Sequence, residues 1–264
     1  MNELRSLQGF IEIGQDAAAV IEKDNTDVLG IFTGGVQTCM VFSFECKRGL
    51  VVIHDSGQLK LEDMAGIVQS QGLCRRITTY RQQDTEDGHI RRLRQLARVL
   101  RVKDKNIQPY MIPHSFELAV SVSGNGEAGI FGQFEGYQAL PDKLIRHSIT
   151  ELNNFFLAEN SQSLRLDLQH AGGRYRKIRP LDKTVNQMLA IVRNQPDFFF
   201  NNLALLHAAH QVGVLSLPEG VAQLVDNHGL QIYRGNVVEK HRHGFQRELF
   251  DGYLESRKNQ GASA

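Results

Sequence analysis

Three extended segments in direct succession set the terms for this chain: residues Val28–Gln58 read VLGIFTGGVQTCMVFSFECKRGLVVIHDSGQ. Leu29–Phe32 is a short apolar run of strand type. Thr33-Gly34-Gly35 then reads as a break, because a glycine pair turns the backbone through angles that other residues resist. Thr38–Cys46 is a second strand, rich in aromatic and β-branched residues. Lys47-Arg48-Gly49 forms a polar hinge, and Leu50–Asp55 is a third strand.

Alternation along a strand sorts these residues onto two faces. One face carries Cys39, Val41, Ser43 and Glu45, with Leu50, Val52 and His54 on the returning strand. The other carries Met40, Phe42 and Phe44 with Val51 and Ile53, and is expected to be the buried one. If the hairpin turns around residues 46–49, two registers keep Cys39 and His54 on one face. In the first they stand directly opposite each other; in the second Cys39 pairs with Ser56 and His54 is its diagonal neighbour. Cross-strand neighbours of either kind come within roughly 4.5 to 8 Å. A slip of one residue sends them to opposite faces. The pattern permits a Cys–His dyad, and a buried strand thiol beside a polar strand-end histidine accounts for the same residues.

Thr33, Cys39 and His54 resemble the catalytic set of the cysteine glutamine deamidases. That group includes the cytotoxic necrotizing factor toxins, Burkholderia lethal factor and the chemoreceptor deamidases. Several members carry a threonine six residues before the nucleophilic cysteine, as Thr33 stands to Cys39, with the histidine on the next strand. Where the family has a Ser-Gly or Gly-Ser pair before the cysteine, this chain has Gln37-Thr38, its glycines displaced to Gly34 and Gly35. The resemblance implies that Cys39 attacks the side-chain amide of a glutamine on a protein substrate, with His54 as base and Thr33 orienting the imidazole through its carbonyl oxygen. Gly34, Gly35, Gln37 and Thr38 then form the substrate and oxyanion loop. No metal or organic cofactor is implied. The same nucleophile could serve a transglutaminase, and a non-catalytic interaction module is the alternative of another class. Toxin and effector roles belong to the resemblance as well.

The whole chain has 264 residues, with 30 basic against 29 acidic side chains. That balance offers no basic field for nucleic acid. The first twenty residues lack the order of a secretion signal, and no uncharged apolar run approaches the ~20 residues that span a bilayer. Three cysteines without close spacing point to reduced thiols in a cytoplasmic setting. For an injected effector, that cytosol would be a host's.

The expected fold class is α+β: a mixed, largely antiparallel β-sandwich core flanked by helices, with a more helical C-terminal half. One deamidase-like domain is expected over 1–264, with 1–140 the β-rich core carrying the dyad and 141–264 a more helical part or subdomain. Leu7–Ile13 reads as an opening strand and Asp16–Glu22 as a short helix. Leu59–Gln71 has helical apolar spacing, and Arg75–Arg81 reads as a strand. Ile90–Leu100 is a basic amphipathic helix whose apolar side faces the core. Pro109–Pro113 is a connection. Phe116–Val122 and Ala128–Phe134 form a hairpin about Gly124-Asn125-Gly126, with no P-loop ending. Pro141–Ala158 is a long helix, Ser163–Leu168 a strand, and Gly172–Lys177 a basic loop. Beyond Pro180, helices are expected over Leu181–Arg193, Asn201–Gln211, Leu217–Asn227 and Glu239–Lys258, and a strand over Gly229–Val238.

His207 and His210, with His241 and His243, are a weak metal set, lacking both an HExxH carboxylate and paired cysteines. Cys46 points opposite to Cys39 and reads as a small core residue. Cys74, beside Arg75 and Arg76, is a candidate for an acidified thiol. No nucleophile-elbow motif supports a serine hydrolase.

Overall fold

The Met40–Ile53 hairpin lies at the middle of the sheet that organises the protein. The computed structural model describes residues 4–83, 87–143, 146, 163–177, 206, 210, 222 and 223. The chain divides into two units, Met1–Lys143 with Ser163–Lys177, and Leu144–Gln162 with Ile178–Ala264. The first contains Thr33, Cys39, His54 and the Gly34–Thr38 loop, and His207, His210, His241 and His243 belong to the second. Its elements are β1 (Arg5–Ser6), β2 (Phe10–Glu12), β3 (Ala17–Glu22), β4 (Gly30–Val36), β5 (Met40–Cys46), β6 (Gly49–Asp55), α1 (Leu61–Ser70), β7 (Cys74–Gln82) and α2 (Asp87–Val99). β8 (Ile107–Ile112), β9 (Phe116–Ser121), β10 (Gly126–Gly129), β11 (Phe134–Glu135), β12 (Asp167–Ala171) and β13 (Arg174–Tyr175) follow.

Seven strands form one sheet in the order β13-β12-β3-β6-β5-β7-β8, four form a second in the order β10-β9-β4-β2, and β1 pairs with β11. β5 and β6 are antiparallel, with Val41 opposite His54 and Glu45 opposite Leu50. The two larger sheets face each other across a shared apolar core. Ile31, Leu118 and Val120 from one meet Ala19, Val41 and Val52 from the other. On the outer face of the seven-stranded sheet, Phe42 and Phe44 stack with ring centres 5.7 Å apart, and α1 lies against β6. Both faces of the hairpin are therefore buried, Met40, Phe42 and Ile53 no less than Val41 and Val52. The expected contrast between a buried and an open face does not hold, because a sheet covered on each side has no solvated face.

Several expectations need correction. Asp16–Glu22 is not a helix: Ala17–Glu22 is a central strand between β6 and β12. Alanine favours a helix locally, but all three alanines are fully buried here, and tertiary packing overrides propensity. The Gly34-Gly35 pair does not break the first strand but lies within β4. Between the pairs Thr33↔Leu118 and Val36↔Phe116 the register shifts, so that two residues oppose one. This bulge keeps both Thr33 and Val36 pointed into the core, which a regular alternation could not do. Gly35 supplies the left-handed backbone it needs, with φ of 69°. Pro109 sits within β8, the strand at one end of the seven-stranded sheet's order, a position where a missing N–H is tolerated. The Ser163–Leu168 strand is displaced to Asp167–Ala171, and Gly172-Gly173 is the two-residue turn of the β12–β13 hairpin.

The α+β class with a more helical C-terminal half is also overturned. The described residues form thirteen strands and two α-helices. The described stretch of the C-terminal half, 163–177, supplies strands to the main sheet. Apart from isolated positions, the elements expected from Leu144 to Gln162 and beyond Lys177 lie outside the described residues, as do His207, His241 and His243. Helix Ile90–Leu100 does correspond to α2, and its apolar side (Leu93, Leu96, Ala97) is buried. Among the described residues no helix is long and apolar enough to cross a membrane.

Substituting Gly35 tests the bulge. A Cβ there would meet nothing within 4 Å, so Gly35→Ala carries backbone strain without a clash. The expected loss is about 1–2 kcal/mol in urea unfolding, with Gly35→Asn nearer to wild type.

Candidate functional site

Thr33, Cys39 and His54 gather where three chain segments approach one another at one end of the sandwich. His54 is the penultimate residue of β6 and Thr33 lies just before the β4 bulge. Cys39 immediately precedes β5. Since Val41 pairs with His54, the observed register is the second of the two envisaged: Cys39 stands toward Ser56, with His54 as its diagonal neighbour. Cys39 belongs to the same intersheet core as Val41 and Val52, so thiol and imidazole share a face.

The threonine contact is direct but differs from the expected one. Thr33 Oγ1 lies 2.8 Å from His54 Nδ1 and donates its hydroxyl proton to the Ile13 carbonyl at 3.1 Å. The side chain, not the carbonyl oxygen, orients the ring. A threonine hydroxyl has one proton to give. With that proton directed at Ile13, the bond to His54 requires Nδ1–H as donor, which fixes the tautomer and leaves the lone pair on Nε2. Nε2 is buried and has no hydrogen-bond partner. The imidazole is accordingly not hydrogen-bonded to Cys39.

Electrostatics describe a closed, neutral pair. Burial lowers the His54 pKa to about 4, so the ring is uncharged at neutral pH. Cys39 is 4 % exposed, and its pKa is pushed up to about 12 by burial and then by the charges of Asp16 and Asp55, against a lowering contribution from the Thr38 hydroxyl. A thiolate–imidazolium pair is not the resting state. Both shifts come chiefly from loss of water, so admitting water or a polar substrate would move both groups back toward ordinary values.

The loop beside Cys39 is the open part of the site. Gly35, Gln37 and Thr38 are exposed and Gly34 is partly so. Three further groups hold the surroundings in place. Asp16, buried with a left-handed φ of 55°, accepts the Ser56 N–H at 2.9 Å, and its own pKa is raised, mainly by burial. Asp55 is fully buried and takes two hydrogen bonds from Arg92, at 2.8 and 3.0 Å. His89 Nε2 lies 2.7 Å from the Thr38 carbonyl. The spacing of His89 and Arg92, three apart in a helical stretch, is a sequence signal that could have placed both on one side of α2. Asp16 offers no comparable signal.

No protein-family model and no curated protein matches this chain. The likeness to cysteine deamidases thus rests on Val28–Gln58 alone.

The remaining thiols behave differently from expectation in one case. Cys46 is a core residue whose S–H is directed at backbone carbonyls. Cys74 is not acidified: the Cys46 thiol facing it across β5 and β7, together with burial, raises its pKa. Among the described residues there is no cluster suited to a metal ion.

Two measurements check these electrostatics. Asp16→Asn removes one negative charge near the sulfur while keeping a residue that tolerates left-handed backbone. Its Cys39 should alkylate faster at pH 8 than the wild-type thiol, which itself should react about a thousandfold more slowly than an unperturbed cysteine. The His54 shift works in the other direction along the pH axis. Because the folded pKa lies below the unfolded value, the unfolded chain binds more protons between pH 6.5 and about 4, and stability falls as pH drops through that window. In denaturant titrations His54→Asn should flatten this slope, whose full span is on the order of 3 kcal/mol.

Proposed function

We propose that this chain is a protein-glutamine deamidase working through a Cys39–His54 dyad. The reading is supported chiefly by one observation: the Thr33 hydroxyl anchors His54 Nδ1 and leaves a partnerless Nε2 on the face that carries Cys39. The spacing of Thr33, Cys39 and His54 adds the resemblance to the cysteine deamidases. A second support is the exposed Gly34–Thr38 loop next to the thiol, the stretch a substrate glutamine would reach first.

The reaction begins from neutral partners. Entry of the carboxamide displaces the closed packing, and His54 Nε2 takes the thiol proton as Sγ attacks the amide carbon. The oxyanion forms beside the Cys39 backbone N–H with help from a loop donor. The imidazolium returns its proton to the departing nitrogen, the C–N bond breaks, and ammonia leaves a thioester on Cys39. His54 then takes a proton from water, whose oxygen attacks the thioester. The C–S bond breaks, the imidazolium returns its proton to the sulfur, and the glutamine has become glutamate. No cofactor takes part, and the working setting is a reducing one, cytoplasmic or a host's cytosol. An amine in place of water would make the product a crosslink, the transglutaminase outcome.

The burial of Cys39 favours a different reading, a non-catalytic protein-interaction module in which the thiol is simply a core residue. The deciding experiment incubates wild-type and Cys39→Ala protein with cell extract and follows glutamine-to-glutamate conversion by mass spectrometry. Conversion by wild type alone, nearly abolished also in His54→Ala, is expected. Equal conversion by wild type and Cys39→Ala would refute the dyad. A Cys39 that alkylates no faster than Cys74 supports the module.

A further inference from the structure

Helix α2 grips both flanks of the dyad. Arg92 holds the carboxylate of Asp55, the residue after His54, and also donates to the Leu59 carbonyl at 2.7 Å. One turn earlier, His89 reaches the Thr38 carbonyl, the residue before Cys39, at 2.7 Å. A carbonyl only accepts, so His89 Nε2 carries the proton and donates it. The ring is buried, with Nδ1 lacking a partner. Its close seat depends on Gly57, where a Cβ would lie 3.3 Å from the ring.

The geometry of the peptide unit gives this contact a consequence. Thr38 and Cys39 are joined by a trans peptide, whose carbonyl oxygen and N–H lie in one plane and point in opposite directions. A donor that fixes the direction of the Thr38 carbonyl therefore fixes the direction of the Cys39 N–H. That N–H is the main-chain donor the proposed reaction uses for its oxyanion. We infer that His89 is a positioning residue that sets the oxyanion donor by clamping the Thr38–Cys39 peptide plane from behind. The inference rests on the deamidase reading. It assigns α2 a part in the reaction without contact between His89 and substrate. Thr38 is exposed, and His89 is the side chain that donates to its carbonyl.

Two probes of the same sulfur separate positioning from mere structure. Acylation by p-nitrophenyl acetate passes through an oxyanion, whereas alkylation by iodoacetamide does not. Each rate is read at Cys39 by mass spectrometry in the full-length protein, with Cys39→Ala as background. His89→Phe keeps a ring but loses the donor. Its ratio of acylation to alkylation should fall about a hundredfold, while His89→Gln, which keeps an N–H of similar reach, should stay near wild type. If His89→Phe loses its cooperative unfolding transition, His89→Asn, too short to reach Thr38, replaces it. An unchanged ratio in the donorless variant, or equal falls in both rates, overturns the positioning role and leaves the dyad standing. A wild-type Cys39 that takes up no acetyl group removes the deamidase reading, and the inference with it.

Discussion

One hydroxyl ties the two sheets together at the point where chemistry is proposed. Thr33 belongs to the four-stranded sheet and His54 to the seven-stranded one. Between them the threonine oxygen accepts from the imidazole and donates to Ile13. In an otherwise apolar interior, such a group is tolerated because its hydrogen-bonding capacity is used. The imidazole is less well provided for, since only one of its two nitrogens is paired. Leaving a buried acceptor bare costs about 1–3 kcal/mol. Sites that accept such a cost are concentrated where a partner arrives from outside.

Closure of the sandwich has opposing effects on the two groups. It fixes the tautomer of His54 and covers the face that Cys39 shares with it. It also removes water from both, and each group then favours its uncharged form. The carboxylates of Asp16 and Asp55 add to this for the thiol. The resting arrangement is thus well ordered and chemically quiet, and any reactivity depends on readmitting polarity at the loop side. A thiol held neutral and out of water is protected from oxidation and from adventitious electrophiles.

The hairpin was readable because its alternation and polar hinge leave few arrangements. Two registers remained, and choosing between them needed the pairing of Val41 with His54. The bulge was harder to see. Gly34-Gly35 looks like a turn signal, and only the partner strand β9 reveals that the pair serves to keep Thr33 and Val36 on one side. Ala17-Ala18-Ala19 misleads for a related reason: small side chains suit a helix in isolation, but they also suit a strand packed on both faces. The alanines gave no hint of that crowding, because it is imposed by β6 and β12 from distant parts of the chain. Thr33, Cys39 and His54 could be named from spacing. Asp16 and the grip of α2 could not, since their roles arise from contacts across 33 to 51 positions.

The placement of β12 has a bearing on how this protein is made. Residues 144–162 separate the first long stretch of the unit from the short one that finishes its sheet, and β12 runs parallel to β3. During synthesis, β3 has one neighbour in β6 but waits for Asp167–Ala171 to leave the ribosome before its other side is matched. Gly14 waits likewise for the side chain of Gln169, which accepts its N–H at 2.8 Å. A nascent chain paused in that interval presents a raw strand border of small apolar residues, the kind of surface that chaperones cover and that joins like to like.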